Sequence, residues 1–434
     1  MRWRLFLLFG LAFVGFYGSA DWLTSQHGWR WSIAPTRWPF WPDWAGVYLS
    51  LDLLLPLTFA LVALESLPFL AASLLAATVL AWPLFLLFPL APIPRLEGNL
   101  ALQMADALNL SANYFPSLHV AYAVVCAVWL RRWWVWLWAG AIALSTLFTH
   151  QHYTIDVVGG VVLALGAFFW ARGRGRVEAL CLGEFARCAA RHRRYAGIGA
   201  ALYTLSAFGP RRRRLARVGF CYLQRLDDLL DGHLVVGVEP EDVAQEQIRK
   251  LRGELEWETG SGSVLDDLGR AFAAEISARD TVGGIALAEA VIEEMRLDRR
   301  RVRDGLLLDE AELDHHLERT FELSLDLMLL AADSPLRASQ APHLLKALGW
   351  CSIVRDWDED LALGLINVPR DVWEGGTVEA WRDRRLEQAL RDLRVAGREL
   401  AALRGRPGHR LLALFWRSVW RYSGERPNSL ASNE

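Results

Sequence analysis

Phe115-Pro116-Ser117-Leu118-His119 and His152-Tyr153-Thr154-Ile155-Asp156, the latter closed by Gly159 and Gly160, are two short polar motifs in an otherwise oily stretch from Asn113 to Gly160. Each opens a long apolar run. Around them the chain offers six such runs, at about Leu5 to Ala20, Gly46 to Ala63, Leu67 to Leu90, Val120 to Leu130, Trp133 to Phe148 and Ile155 to Ala171. Several fall short of the roughly 20 residues a bilayer demands, but tryptophans and flanking polar groups extend them into the interface. The expectation is an all-α chain that begins with a six-helix transmembrane bundle. Met1-Arg2-Trp3-Arg4 ahead of the first run has the charge of a signal peptide. Its aromatic exit without a clear small-residue cleavage site favours a retained anchor.

Ionisable side chains at the edge of a membrane span are costly, which makes them functional-site candidates by default. A neutral imidazole can attack phosphorus and a second can protonate the leaving oxygen. A carboxylate four residues along a helix can hold the first ring in its useful tautomer. This assigns His152 as nucleophile, Asp156 as its orienter and His119 as acid. The charge on the phosphoryl oxygens needs cationic and N–H partners. Phe88-Pro89-Leu90-Ala91-Pro92-Ile93-Pro94-Arg95 supplies Arg95 as a clamp, and Ser117 with its backbone N–H is a second contact. Either histidine alone would read as an interfacial residue packed among aromatics. The ordered set of five points to chemistry.

Over roughly residues 40 to 175 these motifs resemble the type-2 phosphatidic acid phosphatase superfamily, and more closely its branch with inositol phosphoceramide and sphingomyelin synthases. The resemblance implies a phosphohistidine route that removes or transfers a phospho-head group, with no cofactor. Two positions depart from the phosphatases: no lysine precedes Arg95 at the expected place, and Thr146 stands where they carry an arginine. The head-group-transferring branch is similar in lacking that arginine.

Composition separates two halves. The 53% hydrophobic content and the 21 tryptophans of the 434 residues are concentrated before residue 172, and a net charge of −2 argues against nucleic acid as a partner. Cys126, Cys181, Cys188, Cys221 and Cys351 show no paired spacing, so neither a zinc site nor a redox motif is implied. Arg2 and Arg4, Arg131-Arg132, and Arg172, Arg174 and Arg176 fall on one side if six spans alternate, and positive loops stay cytoplasmic. The expected protein is a multi-pass cell-membrane protein with both termini inside. Arg95, His119 and His152 then face outward.

The expected domains are a membrane domain over residues 1–171, a basic hinge over 172–179, an all-α soluble domain over 180–420 and a polar tail over 421–434. Pro210 and Arg211 to Arg214 read as a phosphate-seeking patch or a solvated helix start. In Tyr222-Leu223-Gln224-Arg225-Leu226-Asp227-Asp228-Leu229-Leu230-Asp231-Gly232, Asp227 and Asp231 share one helix face, with Asp228 beside them. Asp356, Glu359 and Asp360 repeat the spacing. Two facing acidic helices can hold Mg²⁺ ions that grip a diphosphate and pull it off a prenyl chain. The string Leu-Asp-Asp-Leu recurs at Leu265 to Leu268, so alone it says nothing.

Context adds Ser206-Ala207-Phe208-Gly209-Pro210-Arg211, Met295-Arg296-Leu297-Asp298, and Ser352-Ile353-Val354-Arg355-Asp356 with Pro369. Together with the acidic motifs these resemble the squalene/phytoene synthase family over roughly residues 180 to 420. The resemblance implies an isoprenoid-synthase-like fold, prenyl diphosphate substrates and Mg²⁺. It places Asp227, Asp228 and Asp231 on the first acidic motif and Asp356 and Asp360 on the second, with Arg355 and Glu359 as neighbours that help hold diphosphate and metal. Gln224, Leu365 and Asn367 depart from the arginine, the second residue of a Gly-Arg pair and the tyrosine of that family. The expected whole is a bifunctional membrane enzyme acting on prenyl diphosphates and lipid phosphates. Its rivals are a phosphatase or phosphotransferase whose soluble half only binds prenyl lipid, and a non-enzymatic scaffold.

Overall fold

The computed structural model describes residues 1–27, 30–33, 38–91, 93–94, 96–108, 113–173, 175–204, 209–235, 237–258, 263–278 and 283–421. Among the described residues the regular structure is helical, apart from one backbone pairing between Trp31 and Leu90. The chain divides into two compact units, Met1–Ala196 and Gly197–Glu434.

The first unit comprises α1 (Arg2–His27), the short α2 (Ala45–Leu49), α3 (Leu51–Leu61), α4 (Leu67–Leu87), α5 (Leu100–Leu108), α6 (Leu118–Leu130), α7 (Trp133–Phe148), α8 (Thr154–Arg172) and α9 (Arg176–Arg191). Each of the six apolar runs is helical, in two classes. Arg2–Gln26, Pro42–Leu61, Leu67–Leu87 and Thr154–Arg172 are long and apolar enough to cross a membrane, while α6 and α7 are shorter apolar helices. The run expected to reach Leu90 stops at Leu87 because Phe88 precedes Pro89, and a residue before proline is pushed out of the helical region. Between α6 and α7 the chain turns on Arg131, which takes a left-handed φ of 53°.

α4 lies at the centre of this unit, packed by α1, α6, α8 and α9. Ala71, Ala77 and Ala81 on α4 and Ala167 and Ala171 on α8 are fully buried. Such small side chains let helix backbones approach where lipid removes the usual hydrophobic drive. Arg2 donates to the carbonyls of Phe59 and Val62 at 2.6 and 2.7 Å, and Arg4 donates to that of Ala189. Cations thus satisfy the free carbonyls at the C-terminal ends of α3 and α9. The start of α1 and the ends of α3 and α9 therefore lie at the same end of the unit.

The unit division comes later than the hinge expected over residues 172–179. α9 folds back instead, with Ala179 and Leu182 packing against Phe69, Ala72 and Ala171. At Gly183 an added Cβ would stand 2.6 Å from Pro68 Cγ, so this approach requires glycine.

α10 (Arg194–Thr204) crosses the division. The second unit continues with α11 (Gly209–Leu230), α12 (Pro240–Leu251), α13 (Val264–Ser277), α14 (Gly284–Asp304), α15 (Glu310–Ala331), α16 (Pro342–Leu363), α17 (Arg370–Glu374), α18 (Val378–Ala402) and α19 (His409–Trp420). α11 packs against α12, α13, α14 and α15, while α16 packs against α15, α18 and α19. Leu313, Leu317, Ile353, Val368, Val372 and Trp381 form one core cluster. α15 opens with reciprocal caps, Glu312 N–H to Asp309 at 2.8 Å and Asp309 N–H to Glu312 at 2.9 Å. Most of the polar tail and the stretch Ser206-Ala207-Phe208 lie outside the described residues.

Candidate active site

In the first unit the two polar motifs meet where α6 and α8 begin. Ser117 caps α6, its Oγ accepting from Val120 N–H at 3.4 Å, and its own N–H donates to the Asp156 carbonyl at 3.0 Å. The N–H expected to face a phosphate is therefore occupied, and Ser117 instead ties α6 to α8. Gly160 makes the junction possible, since a Cβ there would sit 2.5 Å from the Ser117 carbonyl oxygen. A Cβ on Gly159 would sit 2.6 Å from the Phe115 ring.

His152 Nδ1 lies 3.4 Å from Asp156 Oδ2, although His152 precedes α8 and the two meet across the cap at Tyr153 and not along one helix. Asp156 is wholly buried and His152 nearly so. Oδ2 is held by the Tyr153 N–H at 2.8 Å. Asp156 Oδ1 and His152 Nδ1 form no hydrogen bond among the described residues. Buried polar atoms left in this state are rare and cluster at functional sites, and hydrogen bonds of a resting active site tighten when substrate binds. The His152 backbone is fixed by its N–H on the Thr146 carbonyl at 3.1 Å, shared with the Gln151 N–H at 2.9 Å. His150 takes a left-handed φ of 54° to make this turn. Thr146, noted as a departure in sequence, contributes its backbone here.

The His119 and His152 rings stand 6.4 Å apart between centroids. His119 stacks on Tyr48 of α2, centroids 4.1 Å apart and planes within 21°, and its Nδ1 lies 3.1 Å from Tyr48 Oη. No sequence motif marks Tyr48, which is 71 residues from its partner.

Arg95 lies outside the described residues. Its neighbours Pro94 and Leu96 line a shallow cleft together with Asp106, Tyr114, His150 and Gln151. Ile93 and Leu90 pack on Tyr153, the residue after the nucleophile candidate.

In the second unit the acidic motifs lie on α11 and α16. Burial first, then the charges of Asp227, Asp298, Asp228 and Asp360, push the Asp231 carboxyl up to about 9. Burial, with Asp356, Asp298 and Glu359, pushes Asp360 up to about 7. Asp360 thus acts on Asp231 although the two are far apart in sequence, and Asp298 of α14 acts on both. Gln224, where the resemblance expects arginine, donates to Asp227 at 3.2 Å and Asp228 at 3.0 Å. Asn367 donates to Asp360 at 2.9 Å and accepts from Arg301 at 3.0 Å. Arg355 is paired with Asp356 at 2.9 Å, and Glu359 lies 3.3 Å from His233 Nε2.

Asp298 belongs to a buried relay. His316 on α15 contacts Glu294 through Nδ1 at 2.8 Å and Asp298 through Nε2 at 2.9 Å, and Arg301 donates to Asp298 at 2.7 Å. Burial pushes His316 down, but these carboxylates overcome it and raise it to about 9. Burial pushes Asp298 up, yet His316 and Arg301 hold it below its ordinary value. Hard carboxylate oxygens suit Mg²⁺. Among the described residues, however, no three carboxylate, histidine or cysteine side chains stand together at ligating distances.

No curated protein and no solved structure matches the chain. Residues 40–170, less than a third of the chain and the stretch that carries His119, His152 and Asp156, match the family model of the PAP2 superfamily.

Proposed function

We propose that the chain is a membrane-embedded lipid phosphatase or phosphotransferase that works through a phosphohistidine at His152. The observation that carries this reading is the buried His152–Asp156 pair, 3.4 Å apart, with a second imidazole 6.4 Å away inside the matched region. His152 attacks phosphorus as its P–O bond to the lipid alcohol breaks, and His119 gives that oxygen a proton. Asp156 stabilises the imidazolium that forms. His119 then accepts a proton from the incoming water or alcohol, whose oxygen displaces His152. Arg95 is assigned to the phosphoryl oxygens. Both termini are assigned to the cytoplasm and this site to the outer face.

The test is ³²P-phosphatidic acid supplied to the full-length protein in proteoliposomes. Wild type is expected to release phosphate and form an acid-labile ³²P-protein adduct, and His152→Ala to do neither. Phosphate release at the wild-type rate by His152→Ala would overturn the reading.

A second activity is favoured by one observation, that the charge of Asp360 from the second acidic motif reaches Asp231 of the first, with Asp298 acting on both. On this reading the second unit binds a prenyl diphosphate, with Asp227, Asp228, Asp231, Asp356, Glu359 and Asp360 as candidate Mg²⁺ ligands and Arg355 as a diphosphate contact. The ion would shield the diphosphate charge, and the side chains would have to close around it. Turnover is a further step, and the neutral Gln224 argues for binding over condensation. Full-length His152→Ala protein with Mg²⁺ and farnesyl or geranylgeranyl diphosphate separates the cases. Binding without product leaves a binding module, a prenyl product establishes a synthase, and no Mg²⁺-dependent binding removes both.

A further inference from the structure

A ring that gives its Nε2 proton to a leaving oxygen and ends neutral must begin as imidazolium, with hydrogen on both nitrogens. His119 is half-buried at the edge of an apolar bundle and has to hold that charge there. Its surroundings in the site work against it. Asp156 favours charge on His152, the ring that must stay neutral to attack, and charges on two rings 6.4 Å apart repel. Tyr48 of α2 supplies what favours His119 instead. It is almost fully buried and lies flat on the His119 ring, with centroids 4.1 Å apart and planes within 21°. The face of a phenol ring is the negative part of its quadrupole and attracts a cation placed over it. Its Oη, 3.1 Å from Nδ1, puts an acceptor beside a nitrogen that carries hydrogen in the imidazolium. His152 meets Tyr114 differently, with centroids 6.1 Å apart and planes at 79°. α3, α4, α7 and α8 also pack on α6. Among the described residues, the group whose charge acts on His119 from these elements and the turns between them is His152.

We infer that Tyr48 is a positioning residue whose ring face and oxygen hold His119 as the imidazolium that protonates the lipid oxygen as it leaves. This rests on the phosphohistidine reading above and deepens it. His119 Nε2 gives its proton to the oxygen as the P–O bond breaks, which leaves the ring neutral, with hydrogen on Nδ1 and Nε2 bare. Nε2 then takes a proton from the incoming water or alcohol as that oxygen displaces His152, and the imidazolium is restored. Tyr48→Phe keeps the face and removes the oxygen. Tyr48→Leu removes both.

Two measurements on the full-length protein in nanodiscs test it. The first is the pH profile of phosphate release from dodecyl phosphate, whose leaving oxygen needs a proton, and from 4-nitrophenyl phosphate, whose leaving group needs little. In wild type, kcat/KM on the alkyl substrate is expected to fall on the basic side as His119 loses its charge. Tyr48→Leu should bring that fall about one pH unit lower, the scale of a desolvated cation–π contact, and Tyr48→Phe should move it less. Neither variant should move the profile on the aryl substrate. Equal slowing of both substrates with the basic limb in place would reduce Tyr48 to packing and overturn the proposal. The second needs no Tyr48 variant to fold. It is ¹⁵N NMR of histidine-labelled wild type saturated with inorganic phosphate at the pH of fastest release, with His119 assigned by the signal lost in His119→Ala. Hydrogen on both nitrogens of His119 is expected, and a neutral ring overturns the proposal while leaving His152 chemistry intact. Phosphate release unaffected by His152→Ala would strike the phosphohistidine reading itself, and the role of Tyr48 with it.

Discussion

Lys250 Nζ stands 2.7 Å from Asp266 Oδ2, with both side chains nearly buried between α12 and α13. Gln247 donates to the other carboxylate oxygen at 2.9 Å. Asp266 belongs to the second Leu-Asp-Asp-Leu string, so this pair shows what that string is for. Lys250 also pairs with the half-exposed Glu246, so removing Asp266 takes away the buried partner and leaves the surface one, a loss of at most about 3–5 kcal/mol, the scale of a broken buried pair. Asp266→Ala is therefore expected to lower the unfolding midpoint of the second unit strongly. Asp227→Ala, which relieves repulsion around Asp231, is expected to spare it. Equal thermal midpoints for the two variants would contradict this division of roles.

His316 carries a pH signature of stability. Its folded value of about 9, against an ordinary 6.5, means that its stabilisation is fully present below pH 6.5 and lost as pH rises through 9. The difference amounts to at most about 3 kcal/mol, shared among His316, Glu294 and Asp298. The second unit should melt at lower temperature at pH 10 than at pH 7, and an NMR titration of His316 should have its midpoint well above 6.5. A midpoint at the ordinary value would mean that the contacts to Glu294 and Asp298 do not persist in solution.

The α6–α8 junction can be broken without touching a chemical group. Gly160→Ala puts a methyl 2.5 Å from the Ser117 carbonyl, whereas nothing lies within 4 Å of a Cβ at Gly166 on the same helix. Gly160→Ala should displace His119 relative to His152 and cut phosphate release by about 10²-fold, since reacting groups misplaced by about 1 Å lose that much. Gly166→Ala should match wild type in rate. Comparable rates for the two variants would show that the junction tolerates movement.

What could be read in the sequence was the part written in short spacings. His152 and Asp156 are four residues apart, and although His152 precedes α8, the cap in which Asp156 holds the Tyr153 N–H keeps them close. Asp227 and Asp231 were legible from the same spacing, and the apolar runs announced their helices by composition. The ends were less so. Proline at 89 set one boundary, and the small face of α9 carried the first unit past the basic segment that looked like a hinge. Contacts between distant elements left no trace in local spacing. Tyr48 reaches His119 through tertiary packing, His316 reaches Asp298 from another helix, and Ser117 N–H is taken by a carbonyl 39 residues away. Lys250 shows the same limit in reverse, because nothing in Leu265 to Leu268 tells which acidic pair is bridged by a buried ammonium.

Burial changes how the sidedness of the two sites must be probed. Cys126, Cys181, Cys188, Cys221 and Cys351 are all buried, so native thiols should resist an impermeant reagent from either side. Introduced cysteines at exposed positions are needed. Val235 is 95% exposed in the second unit, and Leu100 is 71% exposed at the start of α5, between the segment carrying Arg95 and the His119 motif. With six alternating spans and arginine-rich ends inside, an odd number of spans separates these positions. On sealed right-side-out vesicles, Leu100→Cys should react with an impermeant maleimide while Val235→Cys should react only after permeabilisation. If both cysteines reacted from outside, one of the short helices α6 and α7 would not cross the bilayer. The histidine site and the acidic cluster would then face one compartment, and a lipid could pass between them without crossing the membrane. Opposite reactivity, the expected result, requires any shared lipid to cross between its two encounters.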